Sequence, residues 1–420
     1  FTVSKLMVTA PNGGQNWKAN DTYEITWNAS NITKVHLNFS TNNGDSWAAL
    51  PGGENITASN QSFNWTIGNN VTVSNGVLIR VEDAANSTVN DTSNATLSVI
   101  PNLTITNPQN GVPLTAEEPY NINWTKTGAT VTNVKLEYRT SEAGSWLPIN
   151  NSTTSTSPYQ WNPVPAGALS EDAWVQITFL NNTIANDTSN ASFFIRGKIN
   201  VTSPNDGTEE WQLGSSHDIN WTYKGDITGF NIYYTWDNGL NYTQIKAGAT
   251  GTNGTGSWQW DIDQDNITIS AAQALINISD ANNEEFVFDT SNNWFTVTGK
   301  LVLLYPNASD IVLTYTNGSK ININWTRYGG IANVNITYNN STGDTKIINS
   351  STNASVGFYN WTIPDDIGPS LKVRVTDTTN ANVTDESGTA FAVKGSIQVI
   401  QPNGNENWTV NVSNNIQWKT

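Results

Sequence analysis

The stretch PNGGQNWKANDTYEITW, from Pro11 to Trp27, opens a unit that the chain repeats. A Pro-turn followed about a dozen residues later by an alternating segment ending in Trp returns four times: at Pro108 and Trp124, Pro204 and Trp221, Pro306 and Trp325, and Pro402 and Trp418. Successive tryptophans are spaced by roughly 93 to 104 residues, a period that marks an array of structural repeats. Within a unit, apolar and polar residues alternate with period two, as in antiparallel strands that have one face in water. The first unit shows LMVTA, YEITW, KVHLNFS, SWAAL, SFNWTI, GVLIRVE and ATLSVI, separated by turn residues such as NNGD, PGG and DTSN. Seven such strands without helical periodicity predict an all-β chain, a tandem array of four seven-stranded β-sandwiches of the immunoglobulin or fibronectin type III kind.

The expected units are residues 4–100, 101–196, 197–298 and 299–394. Residues 1–3 align with the last strand of a preceding repeat and 395–420 with the first strands of a following one, so the sequence is expected to belong to a longer repetitive chain or, less simply, to have its ends completed by neighbouring subunits. The junctions SVIPNLTI, FIRGKINV, TVTGKLVL and AVKGSIQV leave one or two residues, usually with Gly, between strands of neighbouring units. That is too short for a flexible linker and predicts rigid end-to-end stacking.

At PNGGQNWKANDTYEITW, followed by VHLNFSTNNGDSW, FNWTI and IRVEDAANSTVNDTS, the chain resembles a class of prokaryotic surface repeats. These are immunoglobulin-like modules with a Pro-Asn-Gly-Gly opening, an Ile-Thr-Trp strand and an Asn-Gly-x-x-Trp hairpin. The resemblance spans nearly the whole chain and implies a spacer of a surface layer, an adhesin or a large secreted protein. The fourth unit departs from the pattern at Ser309 and Lys346, and the third carries Tyr242 where the hairpin Trp is expected.

Composition agrees with an extracellular place. Hydrophobic residues at 37% suffice for packed cores, while only 13% of residues are charged, so the surface must be largely amide and hydroxyl. A net charge of −16, from 19 basic and 35 acidic residues, supplies no basic stripe for nucleic acid or an anionic membrane. Cysteine is absent, which removes disulfides and thiolate metal sites, and no stretch approaches the length of a membrane span.

The strongest chemical signal is Asn-x-Ser/Thr, the acceptor of N-linked glycans. The chain holds 36 of these sequons, where its amide and hydroxyl content would produce about 13 by chance. They stand at Asn20, Asn28, Asn31, Asn38, Asn55, Asn60, Asn64, Asn70, Asn86, Asn90 and Asn94 in the first unit, and at Asn102, Asn123, Asn150, Asn151, Asn181, Asn186 and Asn190 in the second. The third carries Asn200, Asn220, Asn241, Asn253, Asn266 and Asn277. The fourth carries Asn307, Asn317, Asn324, Asn335, Asn339, Asn340, Asn349, Asn353, Asn360 and Asn382, with Asn407 and Asn411 beyond. In the motif NWT, at Asn64, Asn123, Asn220, Asn324 and Asn360, strand alternation buries Trp and turns Asn and Thr outward, where a sugar would project into solvent.

Other motifs read as structural. Trp27, Trp65, Trp124, Trp161, Trp221, Trp260, Trp325 and Trp361 recur at two fixed strand positions, which favours a core over a sugar-stacking role. Trp174 and Trp236 lack equivalents and are the better candidates for a contact surface. Calcium is the one cofactor suggested, at Asp261, Asp263 and Asp265 of DIDQDN, but the Gly turn and distant Glu of a calcium loop are missing and a solvated loop explains the residues better. The repeated Asp-Thr-Ser at Asp91, Asp187 and Asp289 reads as an Asx turn. His36 and His217 stand in different units, and no nucleophile elbow, HExxH or phosphate loop is present, so no catalytic site is expected. These features point to a glycosylated, non-catalytic segment of a cell-surface filament, appendage or surface layer, of archaeal type, partnered by copies of itself and by covalent glycans. The alternatives are the stalk of an adhesin or carbohydrate-binding protein, or an accessory region of a secreted hydrolase.

Overall fold

A computed structural model describes residues 3–109, 111–237, 239–262, 272–308 and 311–420. The chain divides into two compact units, Phe1–Lys198 with Lys224–Ile227, and Ile199–Tyr223 with Thr228–Thr420. Each contains two successive immunoglobulin-like β-sandwiches.

In the first sandwich the strands are β1 (Lys5–Ala10), β2 (Asn16–Lys18), β3 (Thr22–Ser30), β4 (Lys34–Ser40), β5 (Ala48–Ala49), β6 (Ile56–Thr57), β7 (Ser62–Thr66), β8 (Ser74–Asp83), β9 (Asn86–Thr92) and β10 (Leu97–Ile100). One sheet runs β1-β3-β7 and the other β2-β10-β8-β4-β5, with β6 also on β4 and β9 also on β8. The register of β1 shifts between Val8 and Ala10, the chain passes the cis peptide before Pro11, and β2 then joins the opposite sheet. There it pairs parallel to β10, with Trp17 opposite Val99, while the strands around it pair antiparallel. The scheme returns in the other sandwiches, where Pro113–Thr115, Glu210–Gln212 and Val312–Tyr315 lie parallel to Phe193–Arg196, Phe295–Thr298 and Phe391–Gly395.

The seven strands read from the alternation are all present, and β2, β6 and β9 stand beside them. These three escape an alternation test because β6 has two residues, β2 has three and β9, NSTVNDT, has a single apolar side chain. The sandwiches and the sheet faces are as expected. Ile25, Trp27, Val35, Leu37, Trp65, Ile79, Val81 and Val99 fill the first core, and the equivalent positions fill the others. The eight recurrent tryptophans are all 5% exposed or less. Burying an indole of 150–250 Å² is worth about 4 to 6 kcal/mol on a scale of 25 cal/mol per Å², so these residues dominate each core.

The Asp-x-Ser repeat is corrected. It does not close an Asx turn but stitches the first strand of each sandwich to the rest. The Oδ2 atoms of Asp91, Asp187, Asp289 and Asp385 accept from the backbone N–H of Val8, Ile105, Val201 and Leu303 at 2.7–2.8 Å. Two residues on, Ser93, Ser189, Ser291 and Ser387 accept from the N–H of Ile79, Val175, Ile276 and Val373. Each side chain thus takes up a main-chain donor that would otherwise be stranded inside the sandwich, at a cost of about 1–3 kcal/mol.

Past the fourth sandwich, Gln398–Gln401 pairs with Gln417–Lys419. Ile397, Trp408, Ile416 and Trp418 of this hairpin are exposed, although their counterparts Leu6, Trp17, Ile25 and Trp27 are core residues.

Candidate glycan-bearing surface

The outward faces of the strands and the turns between them carry the sequons. Among the described residues, Asn277 is the one sequon asparagine that is buried; most of the others are exposed and the rest half-buried. At NWT the alternation holds. Trp65, Trp124, Trp221, Trp325 and Trp361 are buried, Asn64 and Asn360 are exposed, and Asn123, Asn220 and Asn324 are half-buried on the outer side. At Asn123 and Asn335 the amide atom hidden from solvent is the oxygen, not the nitrogen that a glycan would occupy.

Several sequon amides donate to nearby groups, among them Asn31, Asn90, Asn150, Asn186 and Asn360, and three sequons are tied more closely into the fold. Asn277, 9% exposed, lies on the central strand Ala272–Asp280, opposite Thr290 of the paired strand Phe288–Thr290, and its Nδ2 donates to Thr290 Oγ1 at 2.9 Å. Asn38, on β4 between β5 and β8, has its Nδ2 buried. Asn307 holds its own loop: Nδ2 donates to Leu303 O at 3.1 Å and Oδ1 accepts from Gly388 N at 2.5 Å. Asn12 and Asn205, which follow the repeat prolines, accept in the same way from Asn94 N and Asn292 N. The Asn of the Pro-Asn opening is thus a structural residue, and the sequence offered no local sign of it.

At Asn241 the amide nitrogen donates to Asp237 Oδ2 at 2.6 Å. That bond, a second from Asn241 N and a third from the Thr235 hydroxyl hold the Asp237 carboxyl down at about 2. Asp261 is exposed and accepts from Ser216 Oγ. Asp263 and Asp265, the other residues of the calcium reading, lie outside the described residues, as does Asn266. Glu284 accepts from Asn231 Nδ2 and Tyr233 Oη, and Asp289 is taken up by Val201 N. Among the described residues no group of three His, Cys, Asp or Glu could hold a metal ion, and no helix is long and apolar enough to cross a membrane.

The two singled-out tryptophans pack on their own sheets. Trp174 is half-buried, donates to Asp172 Oδ1 at 3.1 Å and lies 5.5 Å from the Arg139 guanidinium, which also sits 4.7 Å over Trp146. Trp236 rests against Tyr234 with centroids 4.7 Å apart. His36 accepts from Asn55 N at 3.1 Å, and His217 stacks on Trp211 with Nε2 2.8 Å from Ser215 Oγ.

Among the described residues, clefts of note lie on the first and third sandwiches. One, of about 500 Å³, lies in the first sandwich among Phe39, Thr41, Ser46, Trp47, Pro51, Thr66, Asn70, Val71 and Thr72. The other, of about 520 Å³, lies in the third among Thr202, Asn220, Trp221, Thr222, Thr252, Thr255 and Ser257. Neither is lined by a charged side chain, and each is lined by the Asn and Thr of a sequon.

No family model matches the chain, and no curated protein is similar to it in sequence. Among solved structures it is similar to a tetra-tandem repeat from the extending region of a large adhesion protein, at 16% identity over 91% of this chain and 98% of that one, with a TM-score of 0.30. It is also similar to the N-terminal four immunoglobulin domains of Dscam1 isoform 6.9, at 11% identity over 93% and 99% with a TM-score of 0.27. A three-domain fragment of titin, I67–I69, follows at 9% identity over 71% and 100% with a TM-score of 0.30.

Proposed function

We propose that this chain is a non-catalytic structural segment of an extracellular, N-glycosylated assembly: a filament, appendage or surface layer on an archaeal-type cell. The observation that carries the reading is the outward placement of an excess of sequons on sandwiches whose cores use tryptophan in place of disulfides. Sugars on these faces would hide the strands from proteases and blunt the sheet edges against pairing with foreign strands. Contacts with further copies would then use surface that the glycans leave free. Residues 278–306 contain no sequon, and within them Phe286, Phe288 and Leu304 are 52%, 54% and 55% exposed. Apolar surface of this kind, rimmed by polar residues, suits association.

Glycopeptide and intact-mass spectrometry of native material tests the proposal. Sugar on most exposed sequons, with Asn277 and Asn38 bare, is the expected result. A native chain without sugar at any of them would overturn it and favour the unglycosylated stalk or hydrolase-accessory readings.

A further inference from the structure

The cleft beside Trp47 is walled by the connection from β4 to β5 on one side and by the loop Gly68–Thr72 on the other. Its polar lining is neutral: the hydroxyls of Thr41, Ser46, Thr66 and Thr72, and the Asn70 amide. Its apolar lining is the aromatic pair Phe39 and Trp47 together with Ala48, Ala49, Pro51 and Val71. A phosphate or carboxylate ligand would call for a cation in the wall. A saccharide calls for what is present, hydroxyl and amide groups to meet its own hydroxyls and a ring for its C–H face.

The walls are held before anything binds. The Arg80 guanidinium lies 4.3 Å from the centre of the Trp47 ring. In the loop, Val71 N donates to Gly68 O, Val71 O accepts from Ala129 N, and Val73 N donates to Ala129 O, each at 3.1 Å. The second sandwich, in the same compact unit, therefore pins the loop from behind. A site fixed in this way loses little conformational freedom on binding.

The same loop is a sequon, Asn70-Val71-Thr72, with Asn70 and Thr72 exposed. A Cβ at Gly68 would stand 2.7 Å from Asn70 Oδ1, so the Asn70 amide is folded back over Gly68. Any sugar on Asn70 Nδ2 starts from the edge of a neutral cleft that Phe39 and Trp47 help to line.

We infer that this cleft is the seat of the first sugars of a glycan carried by Asn70, which lie against Trp47 and hydrogen-bond to the surrounding hydroxyls. The inference rests on the N-glycosylation reading above and adds a ligand to one of its sites.

The test is hydrogen exchange on the full glycosylated chain and on its Asn70→Gln, Asn90→Gln and Trp47→Ala variants, with glycopeptide mass spectrometry recording occupancy in each. A seated sugar should slow exchange of the amides at Trp47–Ala49 and Gly68–Thr72 by about 2- to 10-fold, the range set by aromatic contacts of roughly 0.5–1.5 kcal/mol. Asn70→Gln should abolish the slowing and Asn90→Gln should leave it intact. Trp47→Ala should abolish it while Asn70 stays occupied. Equal exchange in the parent and in Asn70→Gln, with Asn70 occupied in the parent, would overturn the inference. So would protection that persists in Asn70→Gln, since something other than its own glycan would then cover the cleft. A bare Asn70 on a chain glycosylated elsewhere overturns the seat alone, whereas a chain bare at every sequon overturns the glycosylation reading itself.

Discussion

The first and third sandwiches bury the same tryptophan in two ways. Trp27 and Trp221 are each 1% exposed. Trp27 Nε1 donates to Ala58 O at 3.1 Å, whereas Trp221 Nε1 is buried without an acceptor. The cause lies in the chain that leads into the facing strand. In the first sandwich Ala58–Asn60 makes a 3-10 turn that presents the Ala58 carbonyl, closed by Gln61 at φ 57°, whose own carbonyl takes the Trp27 N–H at 3.0 Å. In the third, Asn253 and Gly254 at φ 52° and 78° form the left-handed pair of a two-residue hairpin, which joins Gly251–Thr252 to Thr255–Asp261. The strand after it places Gly256 opposite Trp221, and a Cβ on Gly256 would lie 2.1 Å from the indole Cε2. The repeat preserves burial of the ring. A partner for its N–H is given up where the backbone comes close enough to pack on the ring itself.

The largest effects should come from removing the rings. Trp27→Ala and Trp221→Ala should each destabilise their own sandwich by about 3–5 kcal/mol, read as loss of exchange protection confined to that sandwich. Replacement by Phe separates the two. Trp27→Phe strands the Ala58 carbonyl as well as shrinking the ring, so it should cost about 1 kcal/mol more than Trp221→Phe. Equal losses would show that the Ala58 bond is not what distinguishes the two seats. Next in size, Gly256→Ala should cost about 1–3 kcal/mol by overpacking against Trp221. Gln61→Ala, where a side chain already projects from a left-handed position, should change stability by less than about 0.5 kcal/mol. A silent Gly256→Ala would mean that the ring can move aside.

The same contrast shows what the sequence could reveal. Strands of five or more residues with clean alternation, such as YEITW and GVLIRVE, were legible, and with them the Trp cores and the outward Asn of NWT. Features that depend on a partner far along the chain were not. Asp91 meets Val8 from 83 residues along the chain, and the local pattern Asp-Thr-Ser carries no trace of that bond. In the fourth sandwich Asp385-Glu386-Ser387 does the same work with Glu in place of Thr, which hides it from a motif search. Asn277 is buried for a related reason. Alternation between Ile276 and Ile278 sends it to the outer face of its strand, but there Tyr233 and Thr290 of the two strands paired on either side flank it in register. A period-two pattern separates two faces of a strand and cannot tell whether the second is covered.

The smallest predicted difference is one of pH. Trp17 stacks on Tyr23 in the first sandwich, with centroids 4.8 Å apart and planes at 6°, and Trp211 stacks on His217 in the third at 4.5 Å and 4°. Burial raises the Tyr23 hydroxyl above its usual range, so that seat stays neutral throughout ordinary conditions. Burial lowers the His217 imidazole below its usual 6.5, against a smaller upward pull from Asp218. A group depressed in the folded state contributes stability that is present above its unfolded pKa and is lost as pH falls through the folded value. The third sandwich should therefore loosen as pH drops below about 6.5, the reference value for histidine, while the first keeps its Trp17 seat unchanged. His217→Tyr should abolish the difference. Because His36 and His217 are the chain's two histidines, an NMR titration can follow each directly. A His217 midpoint equal to that of a free imidazole would remove the predicted effect, and one above it would reverse the sign.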